Sequence, residues 1–481
     1  MEKRNSFISG HIARFFPFRP TEEQAMAIRL LAGFLLSEEP RSVLLLKGYA
    51  GTGKTSLTGA AVKALNEFRQ KNILMAPTGR AAKVFARYAG QEAFTIHRKI
   101  YRKKSFSNEL EGFSLAGNLH GDTLFFVDEA SMISNDATGN RAFGSSGLLD
   151  DLIRYVYSGK RCRLILTGDA AQLPPVSQLE SPALSADYLR GYQLQVHEIQ
   201  LTRVARQSED SGILFNATRI RECLQTRRLD DYPALRLSGF ADVKKVGGNE
   251  LIEAVSSAYD RDGLDETVIV CRSNKRANIY NNGIRNRILY REEALSTGDR
   301  LMVVKNNYFR TEEQKEAGFT ANGEIVEVLR VRHTYGMHGF HFCDAQVRFQ
   351  DDDREAEIRI LTDTLQSESP SLSGEMSDRL FFNVMESYAD EKTRAGKLKK
   401  VKADPYYNAV QVKYAYAVTC HKAQGGQWRN VFLDIGYVTR DMLGEDFYRW
   451  LYTAFTRATR QLYLVNLPGE FEESKVNGEN G

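Results

Sequence analysis

Residues 48–55 read Gly-Tyr-Ala-Gly-Thr-Gly-Lys-Thr, a complete G-x-x-x-x-G-K-[ST] loop, and no other stretch restricts the fold so tightly. Such a loop works only between a buried strand and the first turn of a helix. The apolar run Arg41-Ser-Val-Leu-Leu-Leu-Lys47 predicts the strand; Ser56 to Phe68, apolar at helical spacing, predicts the helix. Glycines let backbone N–H groups close around phosphate oxygens, and the helix N-terminus adds partial positive charge. Lys54 reaches the outer phosphates, and the Thr55 hydroxyl suits Mg²⁺. The implied ligand is a nucleoside triphosphate, contacted by Gly51, Thr52, Gly53, Lys54, Thr55 and Ser56.

Composition narrows the setting. A chain of 481 residues has room for about three or four domains' worth of core. Its 42% hydrophobic content is that of a globular protein, and no apolar run is long enough to span a bilayer. Phe7 to Phe18 is interrupted by Ser9, His11 and Arg14, so no signal peptide is read there and the cytoplasm is the default expectation. The five cysteines form no C-x-x-C pair, which argues against a disulfide framework or a zinc site. A net charge of +4 is too mild to diagnose a nucleic-acid binder. Basic residues nevertheless cluster at Arg102-Lys103-Lys104, Arg203 to Arg228, Arg272 to Arg291 and Lys392 to Lys402. Each cluster suits a solvated face, and together they permit a phosphate track.

Strand-like runs alternate with helix-like stretches through the first half. Asn72 to Thr78 precedes the helix-compatible Gly79 to Ala89; Thr123 to Val127 leads into Asp128-Glu129, and Arg163 to Thr167 into Gly168-Asp169. This is the rhythm of a parallel α/β sheet with its chemistry at the C-terminal ends of strands. It returns late, with strands at Thr267 to Cys271, Val431 to Ile435 and Leu462 to Leu467 and a helix at Glu445 to Thr459. Between Gly298 and Tyr416 the pattern is short and alternating, which predicts a small antiparallel β module inserted in the second α/β unit. Ser367 to Gly374 and the Lys-rich Lys392 to Lys402 read as loops or arms.

A strand-terminal Asp128 can hold Mg²⁺, and the adjacent Glu129 can orient and deprotonate an attacking water. In Leu166-Thr-Gly-Asp-Ala-Ala-Gln-Leu-Pro-Pro-Val176 the amide of Gln172 is placed to contact both the γ-phosphate and that water. Taken alone, this segment would be a capped turn.

The Asp128-Glu129-Ala130-Ser131 box, the Gly168-Asp169-x-x-Gln172-Leu-Pro-Pro-Val segment and Thr419-Cys-His-Lys-Ala-Gln-Gly425, in that order, resemble superfamily 1 type B DNA helicases of the RecD-like and Dda-like branch. The resemblance runs from Gln24 to Arg457. It implies two RecA-like P-loop NTPase domains with parallel sheets and a small inserted SH3-like β module. It divides the chain into an ATPase domain at 1–200, a second RecA-like domain at 201–300 and 417–470, the module with its arm at 301–416, and a disordered tail at 471–481. ATP and Mg²⁺ are the implied cofactors, with Thr55 and Asp128 toward the metal and Gln24 reading the adenine edge. Arg206 and Arg457 are the implied arginine fingers, completing a catalytic set with Lys54, Asp128, Glu129 and Gln172. Gln424 and Gly425 are expected at the nucleotide; Thr78, Arg80, His97, Thr419 and His421 are expected on single-stranded DNA. Ala423 stands where many relatives have serine, so one hydroxyl contact is absent.

Residues 101–122 leave room for a strand-separating hairpin, in which Phe106 or Phe113 would be either a base-stacking wedge or a buried anchor. The resemblance thins over 372–402. The expected activity is 5′ to 3′ translocation on single-stranded DNA with unwinding at single-strand/duplex junctions, by a monomer away from membranes. The polarity comes from family likeness alone. The alternatives are a translocase that separates no strands and a small-molecule P-loop phosphotransferase; the latter has no use for a second α/β domain.

Overall fold

A computed structural model of the chain describes residues 2–103, 113–135, 147–204, 210–309, 318–350 and 353–473. The strand and helix flanking the P-loop are Ser42–Gly48 and Lys54–Glu67. Leu44 and Leu46 pack beneath the P-loop helix with Leu57, Ala61 and Leu65, while Val43 and Leu45 face the opposite layer with Leu149 and Leu152. Both faces are covered, which is why this run is continuously apolar.

Six parallel strands form the first sheet, in the spatial order Ala93–Thr95, Asn72–Ala76, Leu124–Val127, Arg163–Gly168, Ser42–Gly48 and Gln195–Leu201. Because all run one way, the P-loop, Thr78, Asp128-Glu129 and Asp169 emerge at the same edge. A second parallel sheet follows the order Ala417–Thr419, Thr267–Cys271, Trp428–Asp434, Ala458–Val465 and Val243–Val246. The helix expected over Glu445 to Thr459 ends at Phe455, because the chain re-enters the sheet at Ala458.

The inserted module is a closed barrel of Arg300–Val303, Ile325–Met337, Phe340–Phe349, Glu355–Leu361 and Val410–Tyr414. Its long hairpin turns at His338 and Gly339, both at positive φ (52° and 74°), the geometry a two-residue hairpin favours. One pairing departs from the antiparallel expectation: Glu355–Leu361 runs parallel to Val410–Tyr414. A parallel neighbour requires a long crossover. Residues 362–409 supply it and hold two helices, Gly374–Glu386 and Arg394–Ala403.

The Lys-rich arm is therefore largely helical, contrary to the loop expected from composition. Ser373 and Thr393 cap the two helices by accepting from Met376 N and Gly396 N. Leu380, Val384 and Val401 then close over Phe340, Phe342 and Leu361. The module is tied to the second sheet at Asp299, a fully buried carboxylate that accepts from both Arg285 and Arg291, from Ser296 N and from the Tyr416 hydroxyl.

At the first sheet, Tyr101–Lys103 pairs antiparallel with Phe113–Leu115, a short ladder where a hairpin was expected. Phe106, in the connecting segment, lies outside the described residues, as do residues 474–481 of the expected tail. Phe471 is buried against Tyr232 and Phe447.

Candidate active site

The P-loop turns through Gly51 (φ 76°) and Gly53 (φ 88°), conformations that side chains rarely adopt. A Cβ on Gly51 would meet Val204 at 2.9 Å and Leu214 at 3.1 Å, so packing excludes one as well. Lys54 Nζ donates to Tyr49 O at 3.0 Å, and Thr52 Oγ1 donates to the same carbonyl at 2.8 Å. Ser56 follows in the first helical turn. Gln24 is the third residue of a capping box: its Oε1 accepts from Thr21 N at 3.0 Å, while its Nε2 donates to Thr52 O at 2.9 Å. Its amide therefore rests on the P-loop itself. The neighbouring Glu23 accepts from Thr202 N and Arg203 N, fastening the segment that follows strand Gln195–Leu201.

Asp128 ends its strand with both oxygens engaged. Thr55 Oγ1 donates to Oδ2 at 3.1 Å; Thr167 Oγ1 and Glu129 N donate to Oδ1 at 2.7 and 2.9 Å. A hydroxyl beside a carboxylate at a phosphate loop fits Mg²⁺, which prefers few protein ligands completed by water and phosphate oxygens. Among the described residues no cluster of three or more acidic, His or Cys side chains could hold a metal ion.

Glu129 is held at φ 54°, in the left-handed region, at the start of the 3₁₀ turn Ala130–Met132. Such a conformation costs on the order of 1 kcal/mol and persists where the surroundings over-determine it. Burial pushes the pKa of its carboxyl up; Arg457 opposes this, Asp128 adds to it, Lys54 opposes and Asp169 adds. Charged groups from both α/β units thus act on one carboxyl. Gln172 is 5% exposed, and its Oε1, like the Ser131 hydroxyl, is buried with no hydrogen-bond partner among the described residues. Both atoms belong to residues lining a cavity of about 380 Å³ that also touches Lys47, Asp169, Arg190 and Arg449. Buried acceptors left unpaired are costly, so Gln172 Oε1 is suited to a water.

Arg457, 2% exposed, donates from Nε to Thr453 O, from one terminal nitrogen to Gly426 O and from the other to Thr456 Oγ1. It stiffens the turn after Gly425 (φ 72°) while its charge faces Glu129. Arg206 lies outside the described residues.

The two α/β units touch through several hydrogen bonds. Tyr452 OH donates to Asp169 Oδ2 at 2.7 Å and accepts from Ala50 N at 2.8 Å. Leu173 N donates to Thr453 Oγ1 (2.9 Å), Gln424 Nε2 donates to Leu173 O (2.7 Å), and Arg449 donates to the carbonyls of Ala170 and Gln172. Arg221 lies 4.3 Å over the Tyr49 ring, and Gln225 donates to the Tyr49 hydroxyl.

The residues expected on DNA divide. Thr78 caps helix Gly79–Ala89 and lies against Gly425. Arg80 stacks 3.9 Å over Trp428 and donates to Gln427 O at 2.9 Å, so its guanidinium bridges the two units. His97 sits on the short helix Ile96–Ile100, in ring contact with Tyr101. Thr419 precedes the turn Cys420–Ala423, and His421 lies within it, exposed. Tyr452, Thr453 and Arg449 were not singled out from sequence. Their signal was present: all three lie on the helix that leads into Arg457, between four and eight positions ahead of it.

Paired parallel sheets with a P-loop, a strand-end Asp-Glu and an arginine from the second sheet define a P-loop nucleoside triphosphatase of tandem design. Family comparison carries this further. The AAA domain model matches residues 20–234 and the UvrD-like helicase C-terminal domain model matches residues 414–465, together more than half of the chain. Together with the relatives that follow, these matches support a superfamily 1 type B helicase. The ATP-dependent RecD2 DNA helicase of Deinococcus radiodurans is 32% identical over 197 residues, which cover 40% of this chain and 23% of that one. The ATP-dependent DNA helicase dda of phage T4 is 24% identical over 324 residues, 65% of this chain and 68% of the relative. A solved structure of the Bacteroides Pif1 helicase with ADP-AlF3 and single-stranded DNA shares 16% identity over 94% of each chain, at a TM-score of 0.46. Among the described residues no helix is long and apolar enough to cross a membrane.

Proposed function

We propose that this chain is an ATP-dependent DNA helicase that translocates 5′ to 3′ on single-stranded DNA as a monomer and unwinds duplex at single-strand/duplex junctions. The observation that carries the reading is the composition of the catalytic cluster: Glu129 and Lys54 from the first α/β unit face Arg457 from the second. Hydrolysis in such a site depends on how the two units sit, and moving the units is how hydrolysis becomes stepping.

Each residue then has a task. The P-loop amides and Lys54 hold the triphosphate, and Thr55 with Asp128 would hold Mg²⁺, which when bound neutralises phosphate charge. Glu129 takes the proton of the attacking water, while Gln172 Oε1, buried and unpaired, orients that water. Arg457 offsets charge on the transferring phosphoryl group. Arg206 is proposed as a second finger on family likeness. Gln24 and Gln424 brace the P-loop and the Leu173 loop beside the nucleotide. Thr78, Arg80, His97, Thr419 and His421 are proposed to contact DNA.

The test is unwinding of duplexes with a 5′ or a 3′ single-stranded tail, with Lys54→Ala as control. Unwinding from the 5′ tail alone, abolished by Lys54→Ala, is expected. Unwinding from the 3′ tail alone would refute the polarity, and DNA-stimulated ATP turnover without strand separation would reduce the protein to a translocase.

A further inference from the structure

We propose that Tyr452 is a positioning residue for ATP hydrolysis, its hydroxyl registering the helix that leads into Arg457 against the P-loop and the Asp169–Gln172 loop. The inference rests on the reading above and deepens it by naming a contact through which the second unit senses the first. Tyr452 is 1% exposed, and its hydroxyl exhausts its main options: it donates to Asp169 Oδ2 at 2.7 Å and accepts from Ala50 N at 2.8 Å. A tyrosine serving only its own core would find a partner in its own unit. Both partners here lie across the cleft, on the two loops that would handle the terminal phosphate.

The surroundings reinforce the register. Thr453, the next residue, accepts from Leu173 N, three residues after Ala170 in the same loop. Asp169 Oδ1 accepts from Ala171 N, so the carboxylate that receives the phenol also shapes the turn leading to Gln172. On the other side, Tyr49 is clamped by Arg221 and Gln225 of helix Gly212–Thr226. Ala50 therefore sits in a loop gripped from the second unit at two adjacent residues. Five positions after Tyr452, in the turn that follows its helix, comes Arg457, whose charge acts on Glu129. Any shift of Ala50 on phosphate binding passes through one phenol to the arginine.

Steady-state ATP turnover of the full chain with a saturating oligothymidine tests this, comparing wild type, Tyr452→Phe, Asp169→Asn and the double variant. Phenylalanine removes one oxygen and keeps the ring volume. Tyr452→Phe is expected to lower kcat on the order of tenfold, the loss of a hydrogen bond to a charged group, with KM for ATP within about twofold. Oligothymidine affinity and thermal melting should stay near wild type, and the double variant should turn over no more slowly than the worse single variant. Unchanged kcat in Tyr452→Phe, a loss confined to KM, or losses that multiply in the double variant would overturn the assignment. If Tyr452→Phe melts early, Asp169→Asn reads the same bond from its other end, and full kcat there overturns it equally. Absence of turnover in the wild type would bring down the helicase reading, and this inference with it; wild-type turnover with an indifferent Tyr452→Phe removes this inference alone.

Discussion

Glu129 illustrates how far a side chain's role depends on neighbours remote in sequence. Burial first, then Asp128 and Asp169, push its pKa up against the pull of Arg457 and Lys54. Since the base must be ionised to accept a proton, the acid limb of a kcat–pH profile should lie above the ordinary glutamate value of 4.5, as turnover measured from pH 4 to 8 would show. Glu129→Gln should cut kcat by about 10² to 10⁴ while a fluorescent ATP analogue still binds. Arg457→Ala should cost about 10³ or more in kcat, and Arg457→Lys should not restore it, because an ammonium cannot reproduce three directed donors. Lys422 gives a prediction of another kind. Its Nζ is buried without a hydrogen-bond partner among the described residues, and burial, followed by the charge of Lys413, brings it down to about 7. An unfolded lysine keeps its proton to about 10.5, so between those values the unfolded chain binds more protons and stability rises with pH. Lys422→Met should flatten that slope, leaving the part due to Lys413, which burial brings down to about 8, and raise Tm at pH 7 by about 2 °C, read by calorimetry. The residues proposed as catalytic stand in short contiguous motifs that a sequence displays; the altered proton affinities do not, because desolvation is a property of packing.

Legibility of the elements followed how completely each is buried. Ser42–Gly48, Leu124–Val127 and Thr267–Cys271 are covered on both faces and show as unbroken apolar runs. Gln195–Leu201 did not stand out: it is the edge strand, with Gln195, Glu198 and Gln200 turned to solvent. The helix Arg394–Ala403 was hidden for a similar reason, since Val401 is its one fully buried side chain and its lysines dominate the composition. Val401→Asp should therefore undo the packing on Phe340 and Phe342 at a cost of about 3 kcal/mol, measurable by urea unfolding, with the P-loop unit untouched. Asp299→Asn leaves Arg285 and Arg291 facing each other across a buried site and should cost about 3 to 5 kcal/mol.

At the scale of the whole molecule, what matters is how two sheets are held across a cleft. Arg80 reaches from the first unit to Trp428 and Gln427 of the second, and Arg80→Ala should shift the open–closed balance by about 1 kcal/mol toward open, about fivefold in population, as interdomain fluorescence transfer would report. The sequence by itself determined the phosphate chemistry, the parallel sheets and the order of the motifs, because a P-loop and a strand-end Asp-Glu need only neighbouring residues to be recognised. Only the tertiary structure decided that Tyr452 would meet Ala50, 402 positions away, and that Arg80 would serve the seam between units. The physical reason is that hydrogen bonds across a cleft depend on the relative placement of two rigid bodies, which no local pattern encodes. The bonds that couple the two sites thus became visible only once both units were in place.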